Sequence, residues 1–297
     1  MNNHLLSLLF VAILSAIILS TNVEREAPVT SAFDTKIETA SVIANTAEPI
    51  LPAANNPYLP ITAKVAVVKI INAPNALFEL NSAKQWPLAS ISKLMTSVIA
   101  LEKIGPNEII PISAEAVATE GPQGGFSAGE LFTINDLVKS MMTVSSNDAA
   151  AAIAEFFGRQ RFVKEMNNKA AELQMTRTNF ADSIGFSLSN QSTTADLEKL
   201  VSYVYIYYPE IFSYSRQKEI EIIDLKTKIK RRLSNMNVFA GEKEFLGGKT
   251  GYTDEASGNL ISLFRLNSQP LFIAVFGSEN RFADTRILYD WTKNNKK

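Results

Sequence analysis

A serine and a lysine three positions apart, Ser90 and Lys93, open an apolar stretch of the sequence. At a helix start this spacing puts both side chains on one face, one turn apart. A serine hydroxyl needs a base to become a nucleophile, and a neutral lysine can be that base. The next residues, 94–101, carry no charge, and burial there would disfavour the ammonium and lower the lysine pKa. The pair therefore predicts a serine nucleophile activated by lysine.

The sequence excludes catalysis or metal binding by cysteine, and it excludes the same roles for histidine beyond position 4. Its only histidine is His4, and it has no cysteine. Ser-His-Asp catalysis, thiolate metal sites and disulfides are therefore ruled out, and we expect no metal and no cofactor. The net charge of −1 gives no electrostatic case for nucleic acid as a partner.

Taken alone, the S-x-x-K pattern is weak evidence. It occurs again at Ser215 and Lys218, in a charged stretch where we expect no function. Ser90 alone is equally compatible with a helix N-cap, and Lys93 with a solvated charge. The interpretation therefore depends on further patterns.

Two such patterns follow. An S-x-N pattern, Ser145 to Asn147, lies between two apolar helical segments, where a short loop can enter a cleft. The alternative interpretation of this serine is another N-cap. "GGKTG" at 247–251 lies on a predicted strand, where glycine often marks the close approach of a ligand or another backbone. Lys249 and Thr250 are consecutive polar residues suited to a substrate carboxylate. The alternative there is a turn with an exposed lysine.

The elements that position these residues run in the order strands, helices, strands, helix. Strand-like runs flank "NAPN" after residue 61, and more follow residue 217. Residues 106–215 have mostly helical spacing, and a last helix covers 281–292. The segment from Ser90 predicts a buried helix of about fourteen residues, because it is apolar on more than one face. This order predicts an α+β fold whose sheet combines both ends of the chain.

The first sixty residues differ from the rest. Residues 5–20 are an uncharged apolar run, about 24 Å long as a helix against a hydrocarbon core of about 30 Å. We interpret residues 1–21 as an export signal or membrane anchor, in preference to a core helix, and favour the anchor because no clean cleavage site follows. Residues 22–60 are proline-rich without apolar period, which predicts a flexible linker. The remaining domain, 61–297, is then extracytoplasmic, in the periplasm or cell envelope.

In the order S-x-x-K, S-x-N, K-T-G, the three patterns together are highly specific. The chain resembles the D-alanyl-D-alanine carboxypeptidase and endopeptidase family of low-molecular-mass penicillin-binding proteins. The resemblance covers about residues 61–295 and includes "PLASISKLMTSVIALE", "GELFTINDLVKSMMTVSSNDAAAAIAE" and "GGKTGYTDEASGNL". It implies a β-lactamase-like fold with a five-stranded antiparallel sheet flanked by helices, a helical subdomain, and a cleft between the two. It also implies peptidoglycan peptides and β-lactams as ligands.

The resemblance further implies residue roles in a D-Ala-D-Ala peptidase. Ser90 attacks the carbonyl and forms an acyl-enzyme, Lys93 is the base, and Ser145 relays a proton to the leaving amine. The backbone N–H groups of Ser90 and Tyr252 form the oxyanion hole, and Arg281 has a supporting role. The implied substrate-binding residues are Asn147, Lys249, Thr250, Gly251 and Tyr252.

The sequence departs from the family pattern at two places. Ser146 stands where the family usually has glycine, and the segment "EGPQGGFSAGE" is short.

Two other functions are compatible with parts of the pattern. A serine β-lactamase shares the three motifs, but its deacylating glutamate in E-x-x-L-N is missing, because Leu77 and Leu263 occupy that position before the two Leu-Asn pairs. A non-catalytic sensor of peptidoglycan or β-lactams is disfavoured because every motif residue is present.

The motifs do not distinguish removal of a terminal D-Ala from cleavage of a crosslink. Carboxypeptidases of this family usually carry a further β-rich domain and a C-terminal amphipathic helix. This sequence ends at Lys297, and "DWTKNNKK" is not amphipathic. We therefore favour crosslink cleavage.

Overall fold

The computed structural model describes residues 57–295. The predicted signal or anchor and most of the predicted linker lie outside the described residues. Within 57–295, no helix is both long enough and apolar enough to cross a membrane.

Eleven strands occur in the described residues. In chain order they are β1 (Val65–Ile70), β2 (Phe78–Leu80), β3 (Trp86–Pro87), β4 (Ile109–Pro111), β5 (Leu131–Thr133), β6 (Gln191–Ser192), β7 (Glu219–Ile223), β8 (Lys230–Ser234), β9 (Phe245–Thr253), β10 (Ser257–Leu266) and β11 (Gln269–Ser278). Five of them form one antiparallel sheet in the order β2-β1-β11-β10-β9. The other six pair as β3 with β6, β4 with β5 and β7 with β8. The predicted α+β fold is confirmed, including a sheet built from both ends of the chain.

Both faces of the sheet are covered. Along β11, Phe272 and Ala274 pack on the helical side, whereas Ile273 and Val275 pack towards Leu288 of the last helix. Successive side chains of a strand point to opposite faces. A strand buried on both faces reads as a continuous apolar run, which explains the sequence "PLFIAVFGS".

Eight α-helices complete the described part of the chain. They are α1 (Lys93–Ile99), α2 (Ala114–Val117), α3 (Ile134–Thr143), α4 (Asn147–Phe157), α5 (Arg159–Glu172), α6 (Thr194–Tyr207), α7 (Pro209–Ser215) and α8 (Arg281–Asn295). Pro209 ends α6 as expected, but it also begins α7, since proline suits the first position of a helix. That short helix was not predicted.

Candidate active site

Ser90 lies on a tight turn before a buried helix. Residues 89–92 form a 3-10 turn, α1 follows, and a π-helical segment at 100–104 ends at Gly105. The residue before the serine, Ala89, has a φ of 49°, a left-handed conformation that costs about 1–2 kcal/mol for a residue with a side chain. The N-cap residues of the 3-10 turn and of α1 are Leu88 and Ser92, and Ser90 lies inside the turn, so the N-cap interpretation is wrong.

Neighbouring segments clamp this turn through two glycines and an asparagine. A Cβ atom on Gly185 would lie 1.9 Å from the Ala89 carbonyl oxygen, and one on Gly251 would lie 2.8 Å from that of Leu88. The Asn259 amide also donates to the Leu88 carbonyl, at 3.2 Å. Backbone therefore approaches the turn so closely that no side chain fits at either glycine, which fixes the position of Ser90.

Lys93 is fully buried, and its side-chain nitrogen lies within hydrogen-bonding distance of three oxygen atoms. Its Nζ lies 2.8 Å from Ser90 Oγ, 2.6 Å from Asn147 Oδ1 and 2.7 Å from the Ile184 carbonyl oxygen. A neutral amine has two N–H groups and one lone pair. The oxygens of the Asn147 amide and the Ile184 carbonyl can only accept hydrogen bonds, so the two N–H groups of the Lys93 amine donate to them. The lone pair of the amine then faces the Ser90 hydroxyl, which is the one partner that can donate a proton.

Burial determines the protonation of this lysine. It lowers the pKa of Lys93 from 10.5 to about 7, against the opposing charges of Asp182 and Asp148. At neutral pH about half of the molecules therefore carry a neutral amine, compared with less than one in a thousand for an ordinary lysine. Burial thus gives this lysine a neutral, proton-accepting form near neutral pH.

The S-x-N pattern runs from the loop after α3 into the first residue of α4. Ser146 caps α4 by accepting the Ala149 N–H at 3.1 Å, and it also contacts the Asp148 carboxylate. Ser145 has a left-handed φ of 59°, and its Oγ lies 2.8 Å from Lys249 Nζ. The residue that departs from the family pattern is therefore the helix cap, and Ser145 is free to contact the third motif.

The short segment before α3 fixes Asn147. The asparagine Nδ2 donates to the Glu120 carbonyl at 2.6 Å, and its backbone N–H donates to the Pro122 carbonyl at 2.7 Å. Gly121 lies between these contacts, where a Cβ atom would come within 2.5 Å of Nδ2. Because Nδ2 is bound to a carbonyl, Oδ1 must face Lys93.

The third motif lies on the edge strand β9. Lys249 is 2% exposed, and burial lowers its pKa well below the usual value, reinforced by the positive charges of Lys93 and Arg281. Beside it, the Thr250 hydroxyl lies 3.3 Å from the sulfur of Met236. Arg281, the first residue of α8, has a buried Nε with no partner. Lys249, Lys93 and Arg281 thus lie close enough to disfavour one another's positive charge, and an anionic group of a ligand placed there would favour their charged forms.

All three motifs meet at one cleft of about 530 Å³. Seven predicted residues line it: Ser90, Ser145, Asn147, Thr250, Gly251, Tyr252 and Arg281. Lys93 and Lys249 lie buried behind this lining and contact its serines. The arrangement places the Ser90 hydroxyl and the Lys93 amine in the same cleft as Lys249 and Arg281.

One contact of Lys93, with the Ile184 carbonyl, lies outside the three motifs. The Asp182 carboxylate accepts the backbone N–H groups of Ile184 at 2.9 Å and Ser187 at 2.7 Å, which curls the segment and directs the Ile184 carbonyl at Lys93. The signal in the sequence is an aspartate three residues before Gly185, which is typical of a side-chain turn. That signal predicts a turn, not its place beside the lysine.

Comparison with solved structures defines the class of protein. The chain shares its fold with penicillin-binding proteins. Penicillin-binding protein D2 from Listeria monocytogenes, solved with ampicillin bound, is 29% identical, with a TM-score of 0.67 over 79% of this chain and 98% of that chain.

Sequence comparison gives the family. The D-alanyl-D-alanine carboxypeptidase family profile, peptidase family S11, matches residues 52–280. A D-alanyl-D-alanine endopeptidase from Pseudomonas aeruginosa is 31% identical over 76% of each chain. D-alanyl-D-alanine carboxypeptidase DacF from Bacillus subtilis is 29% identical over 73% of this chain and 57% of its own length. The chain belongs to the D-alanyl-D-alanine carboxypeptidase family.

Proposed function

We propose that this protein is a serine-type D-Ala-D-Ala peptidase that acts on peptidoglycan stem peptides, with Ser90 as nucleophile and Lys93 as base. The observation that carries the assignment is the contact between the two side chains. The buried Nζ lies 2.8 Å from the hydroxyl oxygen, with its other two neighbours able only to accept. A positioned base beside a serine is the requirement for nucleophilic catalysis.

The reaction proceeds in two halves. Ser90 Oγ attacks the carbonyl carbon of the D-Ala residue and its proton moves to Lys93. The C–N bond then breaks, and the proton reaches the leaving amine through Ser145, which lies beside Lys249. Water hydrolyses the resulting ester and restores the Ser90 hydroxyl. A β-lactam enters the same first half, but its amine stays tethered to the acyl group and slows hydrolysis.

The N–H groups of Ser90 and Tyr252 are the proposed donors to the developing oxyanion. Gly251, just before Tyr252, brings β9 against the nucleophile turn because it lacks a side chain. Backbone donors fixed in this way stabilise the charge with little reorganisation.

The carboxylate that follows the scissile bond is assigned to Lys249, Thr250 and Arg281. A carboxylate there gives the unpartnered Nε of Arg281 an acceptor. It also supplies a negative charge beside Lys249, whose pKa is lowered by the positive charges of Lys93 and Arg281. Asn147 orients Lys93 and the substrate amide.

For the bond cleaved, we favour the crosslink between two stem peptides. Support comes from the relative named an endopeptidase, which matches over 76% of both chains at 31% identity. Carboxypeptidase action shares the acyl-enzyme and differs only in the leaving amine. Purified protein given crosslinked dimers and pentapeptide monomers is expected to convert dimers to monomers. Release of D-Ala from monomers with dimers untouched would reverse this preference.

We also propose an extracytoplasmic location with attachment through residues 5–20, the domain beginning near residue 61. Support comes from the apolar run itself and from peptidoglycan as the substrate. A reporter active only outside the cytoplasm, fused after residue 60, is expected to be active. A mature protein that begins after residue 20 would contradict the anchor.

The catalytic assignment is tested by covalent labelling with a fluorescent penicillin. Ser90→Ala is expected to abolish labelling. Ser215→Ala is the matched control: it repeats the S-x-x-K pattern, but its Oγ accepts the Gly248 N–H at 2.9 Å and has a structural role. Labelling that survives in Ser90→Ala would refute the assignment.

A further inference from the structure

Met236 differs from every other methionine in the described residues. The chain has seven methionines, of which Met1 lies outside the described residues. Met236 is 42% exposed, whereas the remaining five are at most 3% exposed. Those buried methionines are Met95, Met141, Met142, Met166 and Met175. Among the methionines of residues 57–295, Met236 is therefore the one most accessible to an oxidant in solution.

The exposed thioether lies inside the candidate active site. Met236 lines the cleft, and its sulfur accepts a hydrogen bond from the Thr250 hydroxyl at 3.3 Å. Its backbone is fixed, because its N–H donates to the Thr143 carbonyl at 3.1 Å and the neighbouring Asn235 amide donates to the Ser215 carbonyl at 2.8 Å. The backbone therefore holds Met236 at the cleft, with its sulfur beside the Thr250 hydroxyl.

We propose that Met236 is an oxidative modification site, and that its conversion to the sulfoxide inactivates the carboxylate-binding part of the cleft. The inference rests on the proposed function, because Thr250 is there assigned to the substrate carboxylate. The oxidant is a peroxide or a hypohalous acid. With hydrogen peroxide, the sulfur takes one oxygen atom and loses two electrons, the O–O bond breaks, and water leaves. No cysteine is present to react first.

The consequence follows from the change in polarity. A thioether sulfur is a weak acceptor, so Thr250 readily turns its hydroxyl from Met236 to an arriving carboxylate. A sulfoxide oxygen is a strong acceptor and the negative end of a dipole. The sulfoxide oxygen retains the hydrogen bond from the Thr250 hydroxyl. It also repels the substrate carboxylate, which must enter the same region. Loss of one hydrogen bond to a charged group corresponds to a decrease of about tenfold or more in acylation rate.

The test uses the full chain treated with hydrogen peroxide. Oxidation of Met236 is followed by peptide mass, and acylation by a fluorescent penicillin is timed before and after treatment. Met236→Leu removes the target with similar side-chain volume. Met175→Leu is the matched control, since Met175 is 2% exposed and distant in sequence from the motifs. Each variant is compared with its own untreated rate.

The expected result is a fall of about tenfold in the wild type, in proportion to Met236 sulfoxide. The same fall is expected in Met175→Leu, no fall in Met236→Leu, and recovery on treatment with methionine sulfoxide reductase. Complete oxidation of Met236 with an unchanged rate would overturn the inference, as would an equal fall in Met236→Leu. Failure of the untreated wild type to label at all would instead refute the proposed function, and the inference with it.

Discussion

Replacing Asp148 with asparagine isolates the electrostatics that set the pKa of Lys93. Asp148 is 1% exposed. Its Oδ1 contacts the Ser146 hydroxyl and accepts the N–H groups of Gly124 at 2.9 Å and Ala149 at 3.0 Å. An asparagine whose oxygen takes the Oδ1 position retains these three contacts and loses the second contact of the Gly124 N–H, to Oδ2 at 3.0 Å. The substitution therefore removes the negative charge and one branch of a bifurcated hydrogen bond.

The expected shift is downward. Burial lowers the pKa of Lys93 to about 7, and the charge of Asp148 opposes that effect. Removing one nearby charge lowers the pKa further, by roughly one unit. At pH 6 the neutral fraction then rises from about one tenth to about one half, so acylation is about fivefold faster in Asp148→Asn. At pH 8 both proteins are mostly neutral at Lys93, and their rates converge.

The assay is the rate of acylation by a fluorescent penicillin between pH 5 and pH 9. The matched control is Asp224→Asn, because Asp224 is also 1% exposed and does not contribute to the pKa of Lys93. Its profile should have the wild-type midpoint near pH 7. A wild-type midpoint above pH 9, or an unchanged midpoint in Asp148→Asn, would refute burial and neighbouring charge as the origin of the base.

Three further predictions concern the clamp, the stability and the membrane. Gly185→Ala should lower acylation at least a hundredfold in protein that still folds, because its Cβ would lie 1.9 Å from the Ala89 carbonyl oxygen; a rate within tenfold of the wild type would contradict the clamp. Urea unfolding of wild type and Lys93→Met should show that the free energy of unfolding of the wild type rises by about 2–3 kcal/mol relative to that of the variant as the pH increases from 7 to 9. The unfolded chain binds more protons than the folded one between the pKa values of about 7 and 10.5, so stability rises with pH there; a constant difference would contradict the lowered pKa. Cell fractionation should recover the full chain with membranes, and deletion of residues 5–20 should abolish that; membrane recovery of the deleted form would contradict the anchor.

Periodicity in the sequence identified the elements that carry the motifs. The β1–β2 hairpin, the three strands β9 to β11 and the helices α3, α4 and α6 all lie where alternation or helical spacing predicted them. The short pairs β3–β6 and β4–β5 were not predicted, because two or three residues are too few to show a period.

Contacts made by backbone atoms could not be predicted from the sequence, for a different reason. The Ile184 carbonyl completes the environment of Lys93, but any residue type supplies a carbonyl, so no pattern marks it. The contact between Met236 and Thr250 joins residues 14 positions apart, one in the loop after β8 and the other on β9. The order of the three motifs indicated a common site, and only the fold shows that Lys249 contacts Ser145.

The most direct test of the account is to locate the penicillin adduct. The purified full chain is incubated with benzylpenicillin near pH 8, where Lys93 is mostly neutral, then digested and mapped by mass. One adduct per molecule is expected, an ester on Ser90, formed with a pH dependence that has its midpoint near pH 7. An adduct on another residue such as Ser145, or no adduct with the protein folded, would contradict it.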